Sequence, residues 1–432
     1  MTEKNPLTKF YKKSRLERID ALQQAGYLNE ELRDDVENQL TLSEDIADGM
    51  IENQIATYQL PYGVALNFLI DGDEYVVPMA VEEPSVVAAA SSAAKLFGQY
   101  GGFETLVTER IMIGQAILTD VPDMAAAIQT IEANEAAIIR TANEAHPSIV
   151  KRGGGADSIR IRHIPADETY NSPDFLVVHL HVETLEAMGA NMINTMMEAV
   201  LPLIEELSQG TALMGILSNY TTECLATATC RIPAEALAKG ELSGEVVRDR
   251  LILASQIAAV DPYRAVTHNK GVMNGIDAVV LASGNDWRAI EAGAHAYAAR
   301  SGQYRSLSTW LKAENGDLVG KLTIPLAIGA VGGSISFHPG AKMTHHLLGQ
   351  PNAEKLESVI VSAGLAQNFS AIRALVTEGI QKGHMGLHSR SLAISAGAVE
   401  EEIEAVSAAL KQAPKMNLAT ATEILNEIRT NK

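Results

Sequence analysis

Cysteine and basic residues are scarce in this chain of 432 residues, and each shortage excludes a class of site. The two cysteines, Cys224 and Cys230, are spaced C-x5-C with no histidine beside them, which predicts buried free thiols rather than a metal site. So few cysteines favour a reducing cytoplasm. The formal net charge of −19 argues against a nucleic-acid partner, because phosphate binding needs a basic surface.

The sequence also lacks the segments and motifs of several common protein classes. The N-terminus has no apolar core of a signal peptide, and no run of about 18 apolar residues occurs, so we expect no membrane-spanning helix. No G-x-G-x-x-G follows a strand and no G-x-x-x-x-G-K-[ST] is present, which argues against a Rossmann or P-loop nucleotide site. Without HExxH or a zinc-spaced Cys/His set, we predict no metal site.

What is present is an ordinary globular composition, with 47% hydrophobic and 20% charged residues. The length predicts two or three domains. Residues 7–60 have helical periodicity, and residues 110–218 predict the order βαββαβ of a ferredoxin-like domain inserted into a larger one. Turn residues at Asp71-Gly72-Asp73 and at Asn315-Gly316-Asp317 predict two hairpins. The end of the chain is predicted to be helical, either as a mobile cover or as a surface bundle.

A helix-start signal lies in VEEPSVVAAASSAAKLF. Glu83 directly precedes Pro84, and proline in the first turn with an acid before it is typical of a helix start. The helix is almost uncharged before Lys95, so we expect it to be buried on most sides, with Glu83 at its mouth. The alternative is that Glu83 is a plain acid at a helix end.

The most polar stretch is DPYRAVTHNKGVMNGIDAVVLASGNDWRA, Asp261–Ala289. IDAVVLA (Ile276–Ala282) predicts a buried strand, so Lys270 and Asp286 would fall in the connections at its ends, where functional residues are common. A helix is predicted directly after Asp286. The alternative is that Asp286 only caps this helix and that Lys270 is a solvated loop lysine.

Two further helices carry unusual residues. In LEAMGANMIN, Gly189 and Ala190 would let a flat ligand approach the backbone, although small residues also serve close helix packing. VSAGLAQNFSAIRALVTEGIQKG predicts an amphipathic helix ended by Gly383, and His384 follows at once with glycines on both sides.

Together these motifs resemble hydroxymethylglutaryl-coenzyme A (HMG-CoA) reductase of class II, the bacterial and soluble kind. The resemblance covers nearly the whole chain through ENQIATYQLPYGVA, VEEPSVVAAAS, EAMGANMIN, the Asp261–Ala289 stretch, AVGG and LAQNFSAIRALVTEGIQKGHMGLHSR. It implies an α+β fold: a large mixed domain around a central buried helix, an inserted ferredoxin-like small domain and a helical C-terminal flap. The helix after Glu83 is the candidate for the central helix.

The implied domains are a large substrate and dimerisation domain at 1–109 and 219–374, a small NAD(P)-binding domain at 110–218 and a mobile C-terminal flap at 375–432. The resemblance further implies a homodimer with active sites at the subunit interface, and it leaves a higher oligomer open.

The resemblance implies that HMG-CoA is reduced by two hydrides to mevalonate and free CoA. Lys270 matches the lysine that stabilises the oxyanion, and Glu83 matches the acid that protonates the aldehyde. Asp286 matches the aspartate that links these two, and His384 matches the histidine that protonates the CoA thiolate. One alternative is a catalytically inactive CoA- or nucleotide-binding homologue. Another is an acyl-CoA lyase or thioesterase, which would need a metal set or a nucleophile–base pair that is not visible.

Binding residues follow from the same resemblance. The implied substrate-binding residues are Ser85, Arg264, Asn274 and Gln367. The implied cofactor-binding residues are His146, Glu186, Met188, Gly189, Ala190, Asn191, Asn194, Gly332 and Gly333. Glu186 departs from the family's aspartate, which leaves its hydrogen bond open. NADPH is favoured over NADH, because His146, Lys151 and Arg152 could attract a 2′-phosphate that an acid would repel.

Overall fold

The computed structural model describes residues 5–379 and 389–430. It has the expected α+β class, with helices packed on two separate sheets. The strands are β1 (Tyr62–Ile70), β2 (Asp73–Ala80), β3 (Phe103–Val107), β4 (Ile111–Thr119), β5 (Gly155–Ile164), β6 (Phe175–Glu183), β7 (Thr211–Ser218), β8 (Leu225–Ile232), β9 (Ser308–Lys312) and β10 (Leu318–Pro325).

The helices run through both parts of the chain. They are α1 (Arg15–Gln24), α2 (Glu30–Glu37), α3 (Glu44–Met50), α4 (Val86–Gly98), α5 (Met124–Ala133), α6 (Glu135–Ala145), α7 (Pro147–Val150), α8 (Ala190–Ser208), α9 (Gly244–Val260), α10 (Pro262–Ala282), α11 (Trp287–Ala298), α12 (Pro339–Leu347) and α13 (Ala353–Val376). Residues 389–395 are helical as well, and the helices Glu401–Leu410 and Leu418–Thr430 follow them.

The larger sheet has six strands in the order β2-β1-β3-β8-β10-β9. Two hairpins expected from turn residues are confirmed, β1–β2 around Asp71-Gly72 and β9–β10 around Asn315–Asp317. Asp71 and Gly72 have φ of 50° and 89°, left-handed values that glycine and aspartate tolerate in tight turns.

The central helix of this large part is α13 rather than α4. α13 is buried without a break from Leu356 to Phe369, because the sheet covers one side of it and helices α4, α9 and α10 cover the rest. α4 buries one face, and Ala88 and Ser92 are exposed. The expectation that α4 is the central element was therefore wrong. Alanine and serine make a helix look apolar without requiring burial on all sides.

α13 is also the one described helix that is long and apolar enough to cross a membrane, and 67% of the relevant window is buried inside the protein. It ends at Val376, before the stop expected at Gly383. Gly383 lies outside the described residues.

The smaller sheet is antiparallel, in the order β5-β6-β4-β7. Helices α5, α6 and α8 pack on one face of it, so the predicted ferredoxin-like βαββαβ arrangement is confirmed. The single long helix expected between β4 and β5 is divided at Asn134, which ends α5 and begins α6. The domain boundaries given above stay predictions.

The strand expected at Ile276–Ala282 was wrong, because these residues form the last two turns of α10. The side chain of Asp261 accepts hydrogen bonds from the N–H groups of Tyr263 and Arg264, and Pro262 occupies the first turn, so the helix begins with a strong cap. The run of β-branched residues is tolerated because α10 packs against α13 in the core.

Candidate active site

Glu83 and Lys270 meet at the surface between α4 and α10. Lys270 extends from α10, and its Nζ donates to Oε2 of Glu83 in an ion pair. Asn274, one turn further along α10, donates its amide N–H to Oε1 of Glu83 at 3.3 Å. Side chains four apart on a helix lie on one face, so α10 presents an amine and an amide together to this carboxylate.

The Glu83–Lys270 pair remains accessible in the single chain. The side chains are 37% and 58% exposed, respectively. An exposed ion pair contributes only about 0–1 kcal/mol to stability, so this pair is not an important structural bond. A cation and a carboxyl group that touch and are open to a ligand can stabilise an anion and transfer a proton.

Ser85 lies two residues after Glu83, at the N-cap of α4. Its φ of 78° places it in the left-handed region, which costs a non-glycine residue roughly 1–2 kcal/mol. Such backbone conformations cluster at functional sites, where the surrounding structure holds them. Ser85 itself is half-buried.

Arg264 and Gln367 each carry a buried polar atom with no hydrogen-bond partner among the described residues. These atoms are Nη1 of Arg264 and Oε1 of Gln367. Burial also lowers the pKa of Arg264. Leaving a buried donor or acceptor unpaired costs about 1–3 kcal/mol, which a ligand could recover. A guanidinium group with a free N–H is well suited to a carboxylate.

Close packing of α10 on α13 brings Gln367 to this part of the molecule. A Cβ on Gly275 would lie 2.8 Å from Cβ of Gln367 and 2.6 Å from the carbonyl oxygen of Ala363. Glycine at this position therefore permits the contact between the helices. Gln367 of α13 therefore packs on α10 at Gly275, the residue after Asn274.

A buried polar network beneath Lys270 was not predicted from the sequence. His268 Nε2 lies 2.6 Å from Ser308 Oγ, and Ser308 donates to Asn368 Oδ1 at 2.8 Å. Trp310 Nε1 donates to the same oxygen at 2.8 Å. Burial lowers the pKa of His268 to about 3, so its ring stays neutral. The network fixes α10 against β9 and α13 directly below Lys270.

Asn269 adds a second anchor at the same level. Its side chain donates to the carbonyl oxygen of Arg305 at 2.9 Å and accepts from the N–H of Leu307 at 2.8 Å. Asn269 lies on the same buried face of α10 as Ala265, Val272 and Ile276. Helical spacing identifies this face once α10 is known to be a helix.

Asp286 caps α11, as the simpler interpretation of the sequence expected. Its Oδ1 accepts from the N–H groups of Arg288 and Ala289 at 3.1 and 3.2 Å. Lys270 lies about 18 Å along the axis from the end of α10, at 1.5 Å per residue. α11 packs back against α10, so that Glu291 of α11 lies close enough to Asp277 of α10 to raise the pKa of Asp277. Among the described residues of this chain, Asp286 is therefore not brought to the Glu83–Lys270 pair.

His384, the fourth residue expected in catalysis, lies outside the described residues.

The two segments expected to bind a cofactor lie side by side. The N–H of Ala330 donates to the carbonyl oxygen of Glu186 at 2.9 Å, and Ala187 pairs with Val331 in a parallel bridge. The AMGAN segment and the AVGG segment, which ends in Gly332 and Gly333, therefore form one surface. A Cβ on Gly332 or Gly333 would have no described atom within 4 Å, so the backbone there is open.

The start of α8 is suited to an anion. Gly189 has a φ of 93° and precedes a helix of 19 residues with no acid in its first turn. Ala190 and Asn191 open this helix, with Met188 just before them. N–H groups at such a helix start and the helix dipole favour a phosphate. These residues thus fit the phosphate part of a dinucleotide.

Two other expected cofactor residues use their side chains within the fold. Oε2 of Glu186 accepts from the N–H of Ala353 at 2.7 Å, at the start of α13. Oδ1 of Asn194 accepts from the N–H of Leu217 at 3.0 Å. Both groups position protein segments in this structure.

The glycine triplet reaches the same region. A Cβ on Gly154 would lie 2.6 Å from the carbonyl oxygen of Glu183, so the loop after α7 packs directly on the segment that leads to Glu186. His146 joins α6 to α7, and its Nδ1 lies 3.3 Å from Ser148 Oγ.

Comparisons with known proteins agree on one family. The family model for hydroxymethylglutaryl-coenzyme A reductase matches residues 14–389. The reductase of Archaeoglobus fulgidus is 46% identical over 98% of this chain and 94% of its own length. A probable reductase of Borreliella burgdorferi is 34% identical over 80% of this chain and 78% of its own length.

Solved structures of the Streptococcus pneumoniae reductase share the fold. One has a TM-score of 0.84 and 48% identity, over 98% of this chain and 99% of its own. Another, described as a class II enzyme bound to NADPH in open conformations, has a TM-score of 0.83 and 49% identity, over 86% of this chain and 100% of its own.

Proposed function

The chain belongs to the hydroxymethylglutaryl-coenzyme A reductase family and is an HMG-CoA reductase of the mevalonate pathway, and from that premise we propose which residues carry the reaction. HMG-CoA is reduced in two steps to mevalonate and free CoA. The observation that carries the assignment is the contact of Lys270 and Asn274 with the two oxygens of Glu83.

Lys270 is the oxyanion-stabilising group. When bound, the reduced nicotinamide cofactor supplies hydride. The thioester carbonyl oxygen becomes negative as its carbon is reduced, and an ammonium group at that oxygen lowers the barrier. The position of Lys270 on a rigid helix, anchored below by His268 and Asn269, supports this role.

Glu83 is the proton donor of the second reduction. The aldehyde formed when CoA leaves becomes an alkoxide on reduction and must take up a proton to give mevalonate. Glu83 lies within hydrogen-bonding distance of Lys270, so both groups can address one substrate oxygen. Asn274 holds the other oxygen of this carboxyl group and fixes its direction.

Asp286 joins the site from a second subunit. Within one chain, Asp286 lies just beyond the C-terminal end of α10, and Lys270 is about 18 Å from that end along the helix axis. If Asp286 links lysine and glutamate, as the family resemblance implies, it belongs to the other protomer of a homodimer. The exposed apolar side chains of Leu253, Val260 and Val266 on α9 and α10 support such an interface.

Arg264 binds the free carboxylate of the HMG group. Its buried, unpaired Nη1 supports this, since a carboxylate would satisfy both the charge and the hydrogen bond. Ser85 and Asn274 contact the HMG group, and Gln367, with its unpaired Oε1, contacts the CoA arm. His384 protonates the departing CoA thiolate, as the family resemblance implies.

The cofactor lies against the start of α8 and the AVGG segment, with NADPH preferred over NADH. His146, Lys151 and Arg152 support the preference, because a 2′-phosphate adds negative charge that this segment would attract. The open helix start after Gly189 supports the phosphate position. We also place the enzyme in the cytoplasm, which the buried free thiols of Cys224 and Cys230 favour.

The test is the stoichiometry of turnover. Absorbance of the nicotinamide and release of free CoA thiol are followed together after HMG-CoA is added. We expect two cofactors to be oxidised for each CoA released. CoA release without oxidation would indicate a hydrolase, and no release at all would indicate a non-catalytic binding protein.

A further inference from the structure

A single buried arginine joins four segments that are distant in the sequence. Arg110 lies just before β4, and only 9% of its surface is exposed. Its Nε donates to the carbonyl oxygen of Leu185, and its Nη2 donates to those of Ala187, at 3.2 Å, and Ile328. Its Nη1 pairs with the carboxylate of Glu357, which is fully buried on α13.

The position of these acceptors indicates what Arg110 does. Leu185 and Ala187 flank Glu186 and lead into the helix start of α8. Ile328 leads into the segment that ends in Gly332 and Gly333. One planar guanidinium group therefore holds the backbone of both segments assigned to the cofactor, and its rigid fork fixes their separation.

Glu357 ties this arrangement to the core. It lies about one turn beyond Ala353, whose N–H is held by the side chain of Glu186. α13 is thus joined to the cofactor segments twice, through Glu357–Arg110 and through Glu186. The same helix carries Gln367, which we assign to the CoA arm.

The cost of burying the Arg110–Glu357 ion pair argues that its role is not only to stabilise the fold. Charges taken out of water lose their hydration, and replacing a buried ion pair by apolar residues is often neutral or stabilising. Burial lowers the pKa of Arg110, which reflects this desolvation. Oε2 of Glu357 also has no hydrogen-bond partner in the described chain. We therefore expect this pair to serve the geometry it imposes more than the stability of the fold.

We propose that Arg110, held by Glu357, is a positioning residue that sets the distance between the two backbone segments of the dinucleotide site. The inference rests on the proposed cofactor site and goes beyond it, since both side chains are buried and would act through the backbone. It makes a specific kinetic prediction: loss of Arg110 weakens cofactor binding and leaves HMG-CoA binding nearly unchanged.

The first experiment uses Arg110→Lys, which keeps the charge but cannot reach four acceptors. We expect the KM for NADPH to rise about tenfold or more, with the KM for HMG-CoA within about twofold of wild type. Arg248→Lys is the matched control. Arg248 is also buried and donates to the carbonyl oxygen of Gly316, far from the cofactor segments, so its replacement should leave both KM values unchanged.

A second variant separates positioning from folding. Arg110→Met with Glu357→Leu replaces the pair by apolar groups, so the thermal midpoint should recover relative to Arg110→Met alone. Cofactor binding, measured by NADPH fluorescence, should not recover, because the guanidinium donors that hold the backbone carbonyl groups are still missing. If stability and cofactor affinity recover together, Arg110 is structural and the inference is wrong.

A third variant tells failure of this inference from failure of the proposed site. Asn191→Glu places a negative charge at the exposed first turn of α8, where we assign a phosphate, and should raise the KM for NADPH. If Asn191→Glu raises this KM and Arg110→Lys does not, the inference fails and the site stands. If Asn191→Glu has no effect, the proposed site is wrong and the inference falls with it.

Discussion

Replacing Lys270 by methionine should abolish most turnover without weakening the fold. Methionine keeps the unbranched stem of lysine, so packing on α10 is preserved and the ammonium group alone is lost. Lys270 is 58% exposed and pairs with Glu83 across the surface. This position makes catalysis and stability separable in one variant.

The exposure of Lys270 sets the expected loss of stability, and its proposed contact with the oxyanion sets the expected loss of kcat. Loss of an exposed ion pair should change the free energy of unfolding by no more than about 1 kcal/mol. Loss of a preorganised donor to a developing oxyanion typically lowers kcat about 10²–10³-fold, or about 2.7–4 kcal/mol in the barrier. The barrier should therefore change several times more than the stability does.

Steady-state cofactor oxidation gives kcat, and urea unfolding gives the stability of the same preparation. Lys355→Met is a matched control, because Lys355 forms an exposed ion pair with Asp73 at 3.6 Å and has no proposed role. We expect the control to retain full kcat. A Lys270→Met enzyme with kcat within tenfold of wild type would refute the role given to this lysine.

Three further predictions concern substrate, cofactor and pH. Arg264→Lys should raise the KM for HMG-CoA about tenfold, because a carboxylate loses its second hydrogen bond; an unchanged KM contradicts this. Lys151→Glu with Arg152→Glu should lower kcat/KM for NADPH about tenfold and spare NADH; equal losses contradict it. Burial and Glu291 raise the pKa of Asp277 from 3.8 to about 9 in the folded protein. Its carboxyl group therefore contributes fully to stability below pH 3.8, and this contribution is lost as the pH rises toward about 9. Asp277→Asn should therefore gain stability over wild type as pH rises, measured by urea unfolding; a constant difference contradicts it.

Periodic and turn signals predicted the parts of the fold that depend on local chemistry. The β1–β2 hairpin, the N-terminal helices and the βαββαβ order all follow from nearby residues. α10 was missed because Ile276, Val279 and Val280 favour a strand locally. The Asp261-Pro262 start and the apolar spacing through Ala265 and Val272 already indicated a helix.

The site could be assigned only in part from the sequence. Motif matches pointed to Glu83 and Lys270, but their contact joins residues 187 apart in the chain, which no local pattern encodes. Arg110 gave no signal at all. Its meaning comes from contacts with Ile328 and Glu357, 218 and 247 residues away, that exist only once the chain has folded.

The most direct measurement uses mixed dimers of two inactive subunits, Lys270→Met with one affinity tag and Asp286→Asn with another. Each variant alone should be nearly inactive. If Glu83 and Lys270 come from one protomer and Asp286 from its partner, a mixed dimer keeps one intact site and should have about half the wild-type activity. Doubly tagged dimers as inactive as either parent would contradict the account, because all three residues would then act within one chain.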